Sequence, residues 1–397
     1  MEHLSTLIAS LSESATLAMS QKSKEMQAQG IYVINLSLGE PDFHTPDHIK
    51  QAAKTAIDEN FSFYTPVPGY LSLREAICQK LQTENNLAYR PNQIVCSNGA
   101  KQAVCNALLT VVNPEDEVII PAPCWVSYLE MVKLTRATPV VVQTGIEHDF
   151  KMTPQQLEEA ISPQTRVLML CSPSNPTGSI YSREELLALA EVLKKHPQIL
   201  VISDEIYEHI NYLGSHHSMA QIAGMQERTI LINGVSKAFA MTGWRLGWMA
   251  APLWVAKAAS KLQGQYTSGC SSIAQKAAEG AYQGGLACVE EMRQVFEKRR
   301  DLIVKLAAEI PGFKINRPQG AFYLFPDCSL YYGKGYAGKT IKDSYDLALY
   351  LLEEAHVACV AGAAFNAPNN IRFSYATSEA LISEAMQRVK TALAKLH

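Results

Sequence analysis

The chain has no run of eighteen apolar residues, so no segment is expected to cross a membrane as a helix. An excess of positive charge is missing too. Lys plus Arg number 35 against 38 Asp plus Glu, a net charge of −3 that offers no footprint for nucleic acid. The first twenty residues contain Glu2 and Glu13 but neither lysine nor arginine, so no signal or transit peptide is expected. The nine cysteines form no C-x-x-C pair and their number is odd, which points to reduced thiols in a cytoplasm. Internal repeats and low-complexity linkers are absent. What is present is 397 residues, 47% hydrophobic and 18% charged, the composition of an ordinary globular protein with chain enough for two or three domains and a large core.

Between about residues 93 and 255, short apolar runs alternate with helix-period stretches. Val118-Ile119-Ile120, Val140-Val141-Val142, Val167 to Leu170, Ile199 to Ile202 and Ile230-Leu231-Ile232 read as buried strands. Their spacing leaves room for crossover helices and predicts an α/β fold, a mainly parallel sheet flanked by helices on both faces. A long amphipathic helix, Cys288 to Glu309, stops at Pro311-Gly312 and leads into a smaller unit. There the pattern predicts strands over 321–325, 358–361 and 371–374, with helices over 343–355 and 379–396.

The chemistry concentrates between Asn233 and Gly247. Lys237 lies in an apolar run, with Ser236 before it and Arg245 after it. An ammonium group prefers water, so an apolar surround suits an amine that must be uncharged and nucleophilic, as Schiff-base chemistry with a carbonyl requires. Ser236 and Arg245 suit a phosphate on that carbonyl compound, and pyridoxal phosphate is such a compound. Alone, the lysine reads as a solvated residue of a glycine-rich loop. Its companions argue otherwise. Asp204 follows the run Ile199–Ile202 and Lys237 follows Thr229–Ile232, so a parallel sheet brings both to its carboxyl edge, where such folds bind ligands. A carboxylate beside a pyridine nitrogen keeps it protonated, and the protonated ring accepts electrons from a breaking bond. Without Lys237, an aspartate after a strand would read as a turn former. Strand alternation points Asp204 and Tyr207 to opposite faces, so both reach one site only if the strand ends near Glu205.

Gln93 to Cys96 reads as a strand, and Ser97-Asn98-Gly99-Ala100-Lys101 as the opening of a helix whose free N–H groups suit an anion. With Ser236 and Arg245, this turn makes a three-sided phosphate cradle. Asn175 sits between Pro173 and Pro176, which stiffen its loop. Arg372 stands among the apolar neighbours Ile371 and Phe373, and a buried guanidinium needs a partner such as a carboxylate.

In order along the chain, Ser37 to Phe43, Tyr64 to Gly69, Ser172 to Gly178, Ser203 to Tyr207, Ser236 to Gly247 and Arg372 to Ala376 resemble the motifs of one family. It is that of the class I, fold-type-I pyridoxal-phosphate aminotransferases, close to the prokaryotic aspartate aminotransferases of the second subgroup. The resemblance runs from about Ser37 to the C-terminus. It implies a large cofactor-binding domain over 45–290 and a smaller α+β domain from 1–44 and 291–397. It implies that Lys237 binds the cofactor, that Asp204 meets the ring nitrogen, and that Tyr207 and Asn175 meet the 3′-oxygen. Gly99, Ala100 and Lys101 would lie at the phosphate. Trp125, otherwise a core tryptophan, would stack on the ring and face the substrate. Tyr64 would reach the phosphate of a second subunit, implying a homodimer with shared active sites. Arg372 and Asn175, with the Gly39 backbone nearby, would hold the substrate α-carboxylate. Lys101 would take the distal carboxylate of an acidic substrate; its alternative is a solvated lysine on the first helical turn.

The implied reaction is a ping-pong transfer of the amino group of L-aspartate to 2-oxoglutarate, giving oxaloacetate and L-glutamate, with Lys237 as general base and acid. An aromatic or kynurenine aminotransferase, or a carbon–sulfur β-lyase, would use the same cofactor residues. A non-catalytic sensor domain would follow a DNA-binding unit, yet fewer than forty residues precede Ser37 and they are not basic. Relatives that also use prephenate carry a lysine near position 12, where this chain has Leu11-Ser12-Glu13, which points away from prephenate. Elsewhere plainer readings prevail. Cys124 and Cys171 read as buried structural thiols. His216-His217 reads as a polar surface loop and not a metal site, for want of a third ligand at suitable spacing. Lys298-Arg299-Arg300-Asp301 reads as the solvated face of a helix.

Overall fold

The computed structural model describes residues 4–397. The predicted apolar runs appear as β1 (Ile94–Ser97), β2 (Glu117–Ala122), β3 (Thr138–Gln143), β4 (Thr165–Cys171), β5 (Leu200–Asp204) and β6 (Thr229–Gly234), joined by β7 (Gly247–Ala250). They form one seven-stranded sheet in the order β1-β7-β6-β5-β4-β2-β3. Every pairing is parallel except those of β7, which runs antiparallel to both β1 and β6. The sequence reading did not anticipate β7, a four-residue strand with no β-branched residue. Its reversal has a use. Gly247, the first residue of β7, pairs with Ser97 at the end of β1 and Gly234 at the end of β6, so the chain just before it lies at the carboxyl edge.

Side chains alternate across the sheet, and helices take up both faces. Val167, Met169 and Ile202 pack with Val104 and Ala107 on one side. Leu168, Leu170 and Val201 pack with Leu186, Leu189 and Leu193 on the other. That double cover is why these strands read as unbroken apolar runs. The helix Arg183–Lys194 starts at a capping box between Ser182 and Glu185, with acidic residues in its first turn and Lys194 in its last, which complements its dipole.

The helix predicted from Cys288 spans Ala287–Ala308. Beyond it, Ile371–Ser374 forms the middle of a three-stranded antiparallel sheet between Val360–Ala361 and Tyr323–Leu324. Ile34–Asn35 pairs in parallel with Val357–Ala358, so the N-terminal segment joins the C-terminal elements. Ile34 and Leu36 share a core with Phe322, Phe373 and Met386.

One expectation is overturned here. Lys298 and Asp301 are exposed, but Arg299 and Arg300 are buried. Phe296, Arg300, Ile303 and Ala307 recur at helical spacing on the inward face, and arginine stems tolerate burial if the head finds partners. Arg299 donates to both oxygens of Asp42, at 2.6 and 3.0 Å, with Phe43 and Phe296 beside its guanidinium. Arg300 donates to the Pro318 carbonyl at 2.7 Å over the Tyr212 ring. Replacing Asp42 by Asn strips the buried Arg299 of its carboxylate, with an expected loss of about 1–3 kcal/mol, read as a lower denaturant midpoint at unchanged slope. Lys298→Gln, on the exposed side, is expected to leave the midpoint alone.

Candidate active site

β5 ends at Asp204, which breaks the alternation there and lets Asp204 and Tyr207 face the same space. That space is a cavity of about 360 Å³. Lys237 reaches it from the loop after β6, the strand whose Ile232 pairs with Asp204. The Lys237 amine donates to the Gly39 carbonyl at 2.5 Å. Burial pulls its pKa from 10.5 down to about 8, against the opposing pull of Glu40. Burial acts on Asp204 in the other direction and pushes it up to about 6, while two donors hold it back. Those donors are the Tyr128 hydroxyl, 2.7 Å from Oδ2, and the Ile206 N–H, 3.2 Å from Oδ1. At neutral pH Asp204 is therefore largely ionised, and the lysine lies within reach of its neutral form.

A second group of side chains gathers at the start of the helix Ala100–Val111. Gly99 caps it with φ +83°, and a Cβ there would stand 2.4 Å from an Arg245 Nη. A Cβ on Gly247 would stand 2.2 Å from the Ala100 nitrogen. Only glycines let the arginine loop press against the helix terminus this closely. Arg245 donates to the Thr242 carbonyl at 2.8 Å and the Asn98 carbonyl at 3.3 Å. Ala100, Lys101, Ser236 and Arg245 all line the cavity. Helix-terminal N–H groups, a hydroxyl and a guanidinium on one wall fit a phosphate monoester. An amine, a carboxylate and the indole of Trp125 on the remaining walls fit an aromatic aldehyde with a ring nitrogen, so the residues present suit pyridoxal phosphate.

Arg372 enters from the C-terminal sheet. Its Nη1 donates to the Asn175 amide oxygen at 2.9 Å and its Nη2 to the Ser37 carbonyl at 2.6 Å. Its Nε is buried without a partner among the described residues. Engaging the oxygen of Asn175 leaves that residue's NH₂ for another acceptor. Lys101 sits 4.9 Å from the Trp125 ring centroid, and burial together with Arg245 lowers its pKa. Gly39, Trp125, Asn175 and Arg372 all line the cavity. Two named residues lie apart from it. Gly99 shapes the cradle without lining the cavity, and Tyr64 is 99% exposed.

Tyr128 and Tyr323 are among the lining residues that escaped the sequence reading. Tyr128, three residues past Trp125 and edge-on to it, holds Asp204. Tyr323 touches both Tyr207 and Arg372. The visible signal for Tyr323 was a tyrosine within the apolar run 321–325; for Tyr128 only its helical spacing from Trp125 was on offer. The reading of His216-His217 also needs correction. The His216 side chain is only 7% exposed, and its Nε2 lies 2.7 Å from Glu205. Glu205, Glu208 and His216 converge within 4.8 Å, but the Lys80 ammonium already sits on Glu208 and supplies the local positive charge. Distance in sequence hid these partners.

The lowered pKa of Lys237 has a measurable cost. Below pH 8 the amine is charged in both the folded and the unfolded chain, and the folded state carries the full desolvation burden. Between pH 8 and 10.5 the unfolded chain binds the extra proton, so stability rises with pH across that window. Lys237→Met in the cofactor-free protein is expected to be more stable at pH 7 by roughly 2 kcal/mol, allowing for screening by cavity water. Denaturant unfolding at several pH values should show that advantage fading between pH 8 and 10.5.

The profile of the family described as aminotransferase class I and II matches residues 31–389. The chain is 50% identical over 396 residues to a Petunia hybrida protein named bifunctional aspartate aminotransferase and glutamate/aspartate-prephenate aminotransferase, covering 98% of this chain and 82% of that one. It is 47% identical over 399 residues to the aspartate/prephenate aminotransferase of Cereibacter sphaeroides, covering 100% of both. Its fold matches the crystal structure of the aspartate aminotransferase from Rhizobium meliloti with a TM-score of 0.96, 42% identity and 100% coverage of both chains. For the Thermus thermophilus aspartate aminotransferase with maleate, the TM-score is 0.93 and the identity 39%, over 99% of this chain and 100% of that one. Likeness of this depth, over nearly the whole length and around such a cavity, makes the chain a member of the class I and II aminotransferases.

Proposed function

We propose that this aminotransferase moves the α-amino group of L-aspartate to 2-oxoglutarate, yielding oxaloacetate and L-glutamate, with pyridoxal phosphate as its cofactor. The observation that carries the reading is the sharing of one cavity by the Lys237 amine, the Asp204 carboxylate and the Arg372 guanidinium. The names of the relatives supply the substrate.

When bound, pyridoxal phosphate supplies an electron sink for the pair released at the substrate α-carbon. The chain's residues do the rest. Ala100, Ser236 and Arg245, with the turn shaped by Gly99, hold the phosphate. Asp204, kept ionised by Tyr128, holds the ring-nitrogen proton. The Tyr207 O–H and the Asn175 N–H would donate to the cofactor's ring oxygen, and Trp125 would pack against its ring. Arg372 grips the α-carboxylate and fixes the substrate's orientation. Lys237 Nζ, neutral in part because it is desolvated, would take the proton from the substrate α-carbon and pass it to the cofactor's 4′-carbon. Lys101 meets the distal carboxylate of the acidic substrate.

Several further features belong to the same reading. A homodimer is supported by Phe63 and Tyr64, which are 81% and 99% exposed and apt to cover a second copy's site. Division into a large domain over 45–290 and a small one from 1–44 and 291–397 is supported by the core that Ile34 and Leu36 share with the C-terminal elements. Nine free cysteines suit the reducing cytoplasm.

Lys237→Ala is expected to lose both the visible absorbance gained with pyridoxal phosphate and nearly all turnover; turnover at the wild-type rate would end the assignment. Lys101→Ala is expected to raise KM for aspartate and 2-oxoglutarate about tenfold or more, with far smaller changes for alanine and phenylalanine. Equal changes across the four remove Lys101 from specificity. The same panel run with prephenate as acceptor shows whether Leu11-Ser12-Glu13 excludes it.

A further inference from the structure

No motif singles out Tyr323, yet three parts of the site meet on it. It is fully buried, and its ring lies 4.4 Å from the centre of the Arg372 guanidinium. Its hydroxyl is 2.7 Å from the Tyr207 hydroxyl. A Cβ on Gly39 would stand 2.8 Å from that same hydroxyl, so Tyr323 occupies room that a glycine leaves open.

Two hydroxyls at this distance share a single proton between them, so one donates and the other accepts. Burial raises both phenols above the ordinary value of 10, and each keeps its proton. If Tyr323 donates to Tyr207, the Tyr207 proton is free for a third atom in the cavity, and each bond in such a chain polarises the next. The guanidinium over the Tyr323 ring favours that direction, because a cation draws electron density from the phenol and makes it the better donor. A carboxylate arriving at Arg372 cancels part of that charge.

We infer that Tyr323 is a positioning residue: its hydroxyl turns the Tyr207 proton into the cavity, and its ring links the state of Arg372 to the strength of that bond. The inference rests on the proposed function, in which Tyr207 faces the ring oxygen of pyridoxal phosphate and Arg372 takes a carboxylate. Tyr323→Phe removes the hydroxyl and keeps the ring, so it separates this role from simple packing.

The test is a pH titration of the visible absorbance of full-length protein loaded with pyridoxal phosphate, with and without maleate, a dicarboxylate that lacks an amino group. A weaker Tyr207 donor leaves the ring oxygen less stabilised as an anion. In Tyr323→Phe the midpoint is therefore expected to rise by roughly half a pH unit. The displacement of the midpoint by maleate is expected to fall to about half its wild-type size. Tyr323→Leu, which also loses the ring, should in addition bind maleate about tenfold more weakly. If Tyr323→Phe keeps both the wild-type midpoint and the wild-type maleate displacement, the inference is overturned, whatever its melting temperature. A wild-type protein that gains no visible band with pyridoxal phosphate would instead sink the proposed function itself.

Discussion

Desolvation acting on two opposite charges in one cavity is the constraint around which the structure is arranged. The same removal of water drives the Lys237 amine down to about 8 and the Asp204 carboxyl up to about 6. Both shifts bring the groups toward neutral pH, where one can exchange protons and the other still carries charge. The fold produces this by ending two adjacent parallel strands at one edge and walling that edge with Trp125, Tyr128, Tyr207 and Tyr323. Two hydrogen bonds to Asp204 keep its rise moderate.

Buried carboxylates just past Asp204 tie the ends of β5 and β6 together. Glu208, next to Tyr207, accepts from Lys80, from Asn85 at 3.1 Å and from Asn233 at 2.5 Å. Asn233 belongs to β6, which leads to Lys237. Burial opposes the charge on Glu208, but Lys80 and two histidines hold its carboxyl well below the usual range. Glu205 accepts from Ser203, Ser218 and His216. An unpaired charge here would be costly, whereas a fully partnered one stiffens the segment that carries Asp204.

Much of this was legible in the sequence because it is written in local terms. The runs Val167 to Leu170 and Ile199 to Ile202 announce doubly covered strands, and Lys237 and Asp204 follow two such runs in turn. What stayed hidden depends on distant partners. Nothing near Arg299 or Arg300 in sequence shows that Asp42 and the Pro318 carbonyl will receive them. Nothing beside His216 shows that it will turn inward to Glu205. Strand β7 was missed because pairing on both sides, not intrinsic preference, makes Gly247–Ala250 extended.

Three ties bind the run from Ser37 to Asp42 to cationic side chains. Ser37 offers its carbonyl to Arg372, Gly39 offers its carbonyl to Lys237, and the Asp42 carboxylate clamps Arg299. Two of these three ties use backbone atoms, so they depend first on the length of the run, although Gly39 leaves no room for a Cβ beside Tyr323. Inserting or removing one residue would shift every knot of this seam at once.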